Sequence, residues 1–383
     1  MELQLLSENI DKSPYYNADG TGERRITINE SVANTIGLEA REFDTTPTKT
    51  NSSFFQTLIE KESKMKKSGD MLPPRVKPGF IDDKEIKRRT NFSDESSLLL
   101  LIFVVCNGDV DVVTSVTSAM TWYEEWFFVF EFLWGRTLQR WDDAAAEKEY
   151  GLNKAILMTV FNKKCKLIKK TRDGWGRYAT HVEDVQLRGS YWNDRYGNHR
   201  VVQWDNTNIH IGKPSDARKQ RATFSNYYGE NCAKGGVFLQ LCGWMGVHEL
   251  WSGGVSDTEY LNKSGILEFQ RKFAEDDLVE GEIIPFLNVL DKGYRCTVAS
   301  WRAGCQLTLQ PDFAQSDRKF RATEVISSAA VATDRSANER AVRLSKSSRR
   351  LKTGAEKNTS YETLADTWIV WSFVVNFMYS SVI

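Results

Sequence analysis

The 383-residue chain has no excess of charge of either sign, with 51 lysines and arginines against 51 aspartates and glutamates. That balance excludes a polycation that holds nucleic acid over its whole surface. A local basic groove stays open, because phosphate binding needs a patch rather than a net excess. Cysteine is scarce: the six are scattered, with no C-x-x-C pair and no Cys/His spacing of a zinc finger. The pattern points to reduced thiols in an intracellular compartment. The four histidines include no H-x-x-x-H, no Gly-x-Gly-x-x-Gly occurs, and Gly212-Lys213-Pro214-Ser215 lacks the upstream glycine of a phosphate loop. Long apolar runs are missing as well. Leu98 to Cys106 and Trp368 to Ile383 both fall short of the roughly 20 apolar residues of a membrane span, so each reads as buried helix or strand. Met1 to Asp11 is not a charged-then-apolar secretion signal, and no membrane anchor is expected.

What is present is unevenly distributed. All twelve tryptophans lie between Trp122 and Trp371, whereas five of the eight prolines precede Gly79. Residues 1–95 are polar and too poor in apolar side chains to offset chain entropy, so they read as a mostly disordered arm with short helices. Residues 96–199 read as helical: Trp122, Trp126, Phe130, Leu133 and Trp134, then Leu152, Ile156, Val160 and Phe161, recur at three- and four-residue spacing. Lys163, Lys164, Lys166, Lys169, Lys170, Arg172 and Arg177 fit either a solvated helix face or a phosphate-contacting one. Residues 200–383 switch to strand-like runs at Val201–Asp205 and Ile209–Ile211, and to a hairpin turning near Gly243 to Gly246. A helix capped at Ser256 and running to Phe273 follows, then an apolar run from Pro285 to Leu290, a further strand at Arg295–Trp301, and a helix from about Glu324 to Leu351. The sum is a mixed α/β domain preceded by a helical region and a polar arm.

Within that domain Asp205 and Asp291 each end a strand-like run, and Glu339 sits on the late helix. If the strands are neighbours, the acids share one crevice. Converging carboxylates repel unless a cation neutralises them, and oxygen donors of this kind suit Mg2+ or Mn2+. Each acid also has a local reading. Asp205-Asn206-Thr207 and Asp291-Lys292-Gly293 are good turn chemistry, Asp257 is a first-turn acid, and Glu339 has Arg335 and Arg343 one turn away on either side.

Four blocks then resemble a known family. Trp204-Asp205-Asn206-Thr207-Asn208-Ile209-His210-Ile211 with Pro214, Trp251-Ser252-Gly253-Gly254-Val255-Ser256-Asp257, Leu290-Asp291-Lys292-Gly293-Tyr294, and Arg335-Ser336-Ala337-Asn338-Glu339-Arg340 with Lys346 appear in order. Together they are similar to the Harbinger-type DDE transposases, the type-4 DDE superfamily endonucleases. Asn206, Ser252 and Asn338 replace residues usual in that family, and no carboxylate is lost. The resemblance implies a ribonuclease-H-like mixed sheet with flanking helices, in which Asp205, Asp291 and Glu339 are catalytic. It implies metal ligation by Asp205, Asp257, Asp291 and Glu339, with two Mg2+ or Mn2+ ions, and DNA contacts by Arg335, Arg340, Arg343 and Lys346. The implied activity is DNA cleavage with strand transfer, on transposon ends, in the nucleus. No helix-turn-helix is recognised in 96–199, so a separate DNA-binding partner and homo-oligomerisation are part of the expectation. The alternatives are a domesticated copy that binds DNA or protein without cutting, and a structural α/β protein whose acids are only turns and caps.

Overall fold

The computed structural model describes residues 60, 81–106, 112–113, 115–134, 150–174, 178–291, 293–294, 307–311, 319–352 and 361–378. Most of the arm expected over 1–95, the strand expected at Arg295–Trp301, and Arg177 and Lys292 lie outside the described residues.

The helical region contains α1 (Asp83–Thr90), α2 (Glu95–Val105), α3 (Trp122–Trp134), α4 (Lys154–Gly174), α5 (His181–Leu187) and α6 (Ser190–Tyr196). Asp82 and Asp94 cap α1 and α2 by accepting from Glu85 N and Ser97 N, both at 2.7 Å. Helix α3 is apolar on every side and buried almost throughout, which places it at the centre of the bundle. Its three glutamates are each answered. Glu124 accepts from Thr121 N, and Glu125 accepts from Val116 N and Thr117 N and lies 3.2 Å from the Lys164 ammonium. Glu131 takes a two-pronged contact from Arg89 at 2.9 and 2.8 Å. The basic run on α4 is therefore not simply a solvated or phosphate-contacting face. Lys164 is buried against Trp126, Lys169 pairs with Asp366 at 2.6 Å, and Arg172 donates to the Val247 carbonyl.

The rest of the chain builds β1 (Arg200–His210), α7 (Ala217–Thr223), β2 (Phe224–Ser225), β3 (Glu230–Gln240), β4 (Met245–Val247), β5 (Trp251–Ser252), α8 (Asp257–Lys263), α9 (Ile266–Asp276), β6 (Phe286–Val289) and β7 (Leu307–Leu309). It then continues through α10 (Ala322–Ser345), α11 (Arg349–Lys352) and α12 (Tyr361–Met378). Among the described residues the sheet runs β2-β3-β1-β6-β7, with β4 and β5 also paired to β3. β1 is antiparallel to β3 and parallel to β6, and β6 is parallel to β7. The result is a mixed α/β architecture with helices on both faces of the sheet. The two strand runs expected at 201–205 and 209–211 are one strand. The single helix expected after Ser256 breaks at Gly265, whose φ of +77° favours glycine and ends α8 before α9 begins.

Side-chain alternation along β1 decides what each face meets. Val202 and Trp204 pack with Tyr260, Leu261, Ile266 and Leu267 of α8 and α9. On the other face Val201 shares a cluster with Val331 of α10, and Ile209 shares the main core with Ala337 and Ala341. That main core runs without interruption from Ile86 and Phe92 through α2, α3 and α4 to α12, so it crosses the expected division at residues 199 and 200. Helix α12 binds the two regions together: Trp371 stacks on Trp134 with centroids 5.7 Å apart, and Asn376 exchanges two hydrogen bonds with the Met245 backbone. Helix α1, one short helix within the segment read as an arm, places Ile86 in the core. Among the described residues no helix is long and apolar enough to cross a membrane.

Two consecutive glycines thin β3 where tryptophans press on both faces. A Cβ at Gly235 would lie 2.7 Å from the Trp368 ring, and one at Gly236 would lie 2.4 Å from the Trp204 ring. Neither indole is the end of a flexible side chain. We expect Gly236→Ala to lower stability by about 1–3 kcal/mol through overpacking, read as a shift of the urea midpoint with an unchanged slope.

Candidate active site

Asp205 does not end its strand; it lies in the middle of β1. What ends there is the neighbouring strand. Gln203 faces Val289 at the last rung of the parallel pair, and Asp205 and Asp291 each stand two residues beyond it. Asp291 therefore leaves the sheet edge at the level of Asp205. The loop that carries it is held by Gln310, which donates to the carbonyls of Asp291 and Tyr294 at 2.8 and 2.7 Å.

Helix α10 supplies the third side. Val331 packs against the Val201 face of β1, so residues one and two turns further along the same stripe pass over Asp205. The first is Arg335 and the second is Glu339. The Arg335 guanidinium lies 2.9 Å from Asp291 Oδ1 and 3.7 Å from Asp205 Oδ2, with its side chain only 13% exposed. Two carboxylates are thus gathered on one cation. Burial pushes the Asp205 carboxyl up to about 6; the arginine opposes that rise, and the charges of Glu339 and Asp291 add to it.

Glu339 is exposed and lines a groove of about 590 Å3 with Asn208, His210, Arg340, Arg343 and Lys346. Burial lowers the Lys346 ammonium from its usual range, while Asp205 and Glu339 pull it back up, so all three charges share one neighbourhood. Asp257 is placed differently. Its Oδ1 takes 2.7 Å and 3.2 Å contacts from Lys234 Nζ and Asn206 Nδ2, both on the face of the sheet opposite to Asp205. Among the described residues no group of three or more His, Cys, Asp or Glu side chains is arranged to hold a metal ion.

Three neighbours of the acids have no role in the sequence reading, although Tyr294 and Asn338 stand in its blocks and Gln203 in a strand-like run. The buried Tyr294 hydroxyl has no hydrogen-bond partner; burial, followed by the charges of Asp205 and Asp257, pushes its pKa well up. The Gln203 amide is buried without a partner on the Asp205 face, and so is the Asn338 amide beside Glu339. Uncompensated buried amides of this kind are costly, and their place beside the acids is the signal that marks them. Nothing in the periodicity separates them from core.

No curated protein and no solved structure matches the chain. One family does: residues 204–376, a span that takes in Asp205, Asp257, Asp291, Arg335 and Glu339, match the DDE superfamily endonucleases.

Proposed function

We propose that the chain is a transposase-type nuclease that cuts DNA phosphodiester bonds, with Asp205, Asp291 and Glu339 as its catalytic acids. The observation that carries this reading is the meeting of Asp205 and Asp291 on Arg335, beside a groove lined by Arg340, Arg343 and Lys346. The donor set fits a hard divalent cation. Carboxylate oxygens are gathered at a point that already requires positive charge, which Arg335 provides. Asp205, Asp291 and Glu339 would hold Mg2+ or Mn2+, one ion or two; Asp257, turned to Lys234 and Asn206 on the other face, stands apart from them. Such an ion supplies Lewis-acid activation of water and stabilisation of the leaving oxygen.

The protein's own groups have separate tasks in this mechanism. Arg340, Arg343 and Lys346 bind the phosphate backbone along α10, in the groove that Asn208 and His210 also line. Arg335 holds Asp205 and Asp291 together and opposes the penalty that burial places on the Asp205 charge. The strand order supports a ribonuclease-H-like fold, with Asp205 on the first strand, Asp291 just past a parallel neighbour, and Glu339 on a late helix. The four sequence blocks support the Harbinger-type branch, strand transfer on transposon ends, work in the nucleus, and assembly with further copies or a DNA-binding partner.

A specific observation favours a second reading, a DNA-binding module that no longer cuts: the acids are bridged by arginine, and Glu339 does not join them in a three-carboxylate cluster. Mg2+-dependent nicking of plasmid DNA separates the two. We expect the parent to nick and Glu339→Gln to lose at least about two orders of magnitude in rate, as for loss of a principal electrostatic contributor. Its melting temperature without metal should not fall, since Glu339 is exposed and Arg335, one turn before it, is turned to Asp205 and Asp291 instead. A parent that binds DNA yet never nicks it would establish the second reading.

A further inference from the structure

The segment that links β1 to β3 carries an aromatic pair that the cleavage chemistry does not use. Tyr227 is 87% exposed, more than any other large hydrophobic side chain among the described residues, and Tyr228 is 49% exposed. Their rings meet edge to face at 4.8 Å. The turn that presents them is fixed by its backbone: Gly229 adopts φ +69° and its N–H donates to the Ser225 carbonyl at 2.9 Å. A tyrosine left in water contributes almost nothing to stability through burial, so packing does not account for Tyr227.

The position of the pair does. Tyr228 lies 5.9 Å from the His210 ring, and His210 lines the α10 groove together with Glu339, Arg340, Arg343 and Lys346. Lys213, Arg218, Lys219 and Arg221, all exposed, lie on the same β1–β3 connection, against Asp216 in that stretch and Glu230, which stands 2.8 Å from His210. The surface thus runs from the cations of the α10 groove, by way of His210, to an exposed edge-to-face pair of rings, with further cations earlier on the same connection. Cations of this kind read phosphates, and exposed rings stack on bases that have left the helix.

We propose that Tyr227 and Tyr228 form a stacking platform for an unpaired nucleotide of the DNA strand held in the α10 groove. This rests on the DNA-cleavage reading and narrows it: the preferred substrate is a duplex with a displaced base beside the cut, rather than an uninterrupted one. A protein partner would be served equally by an apolar patch, but the exposed Lys and Arg earlier on the same connection, with the cations of the α10 groove, favour a nucleic acid.

The test is anisotropy with the full chain in EDTA, using a labelled duplex and the same duplex carrying an unpaired nucleotide. Tyr227→Ala should weaken binding of the interrupted duplex about tenfold, within the roughly 5- to 150-fold range of one lost base stack. It should weaken the continuous duplex by less than about twofold, in line with contacts that are mainly to phosphates. Tyr227→Phe should bind as the parent does, because the ring and not the hydroxyl stacks. Tyr227→Ala binding both DNAs like the parent, or losing both equally, would overturn the platform. Because metal is absent, a chain that stacks DNA through Tyr227 but never nicks it would sink only the cleavage reading. One that nicks DNA while ignoring Tyr227 would sink only this proposal.

Discussion

Asp205→Asn is expected to abolish nicking and, at the same time, to stabilise the metal-free protein at neutral pH by on the order of 2 kcal/mol. The folded protein holds this carboxyl at about 6 against an ordinary value of 3.8, chiefly by burial, with Glu339 and Asp291 adding to the rise. A raised carboxyl binds its proton more tightly in the folded state, so ionising it costs stability. The cost is absent below about pH 4, grows as pH rises toward 6, and is fully present above that. Asparagine removes it, less whatever the Arg335 contact and the Asn206 N–H bond to Asp205 Oδ1 contributed. Melting curves across pH give the check. Parent and variant should coincide near pH 4 and separate by neutral pH, with the variant higher. Added Mg2+ should then raise the parent's melting temperature more than the variant's, since the lost charge is the one a cation offsets. Coincident curves at neutral pH, or a gap that opens only in acid, would mean that Asp205 is not a strained carboxylate.

That strain explains why parts of the site were readable from sequence and parts were not. The four acid blocks are local strings and stand out as such, and the Ser256 cap and the strand at β1 follow from turn chemistry and period. What escapes a string is which neighbour a side chain turns toward. Arg335 reads as the helical partner of Glu339, yet its guanidinium reaches across to β1 and the loop after β6, because Val331 sets that stripe of α10 against the sheet. Lys164 reads as one charge in a basic run, yet Glu125, on a helix apolar all round, draws it into the core. Asp205 reads as the end of a short strand because Asn206-Thr207-Asn208 is turn-like. Pairing of Asn206, Thr207 and Asn208 with Gly236, Gly235 and Lys234 overrides that local preference. In each case a tertiary partner distant in sequence wins over a propensity worth less than about 1 kcal/mol.

The same logic sets where the folded unit begins, and a truncation pair measures it. A fragment starting at Ile81 should keep the parent's urea midpoint, because residues before it hold no tryptophan and cluster the prolines. A fragment starting at Ser96 should fail to fold. It lacks Ile86 and Phe92, both wholly buried, and the edge-to-face contact of Phe92 on Phe130 at 5.1 Å. It also lacks Arg89, whose guanidinium answers Glu131 in the interior and lies 4.6 Å from the Phe127 ring centroid. Losing a buried phenylalanine costs about 3–5 kcal/mol, and leaving a buried carboxylate without its cation costs about as much again. Even with incomplete additivity the total approaches the whole stability of an ordinary domain, about 5–15 kcal/mol. Ile86→Ala in the full chain carries the same argument at smaller scale, with about 2–5 kcal/mol expected from the urea midpoint. If the Ser96 fragment melts like the parent and Ile86→Ala is silent, α1 is an appendage. If both fall as expected, α1 belongs to the core that holds α3 against α12, and through α12 to the strands and helix that carry the acids.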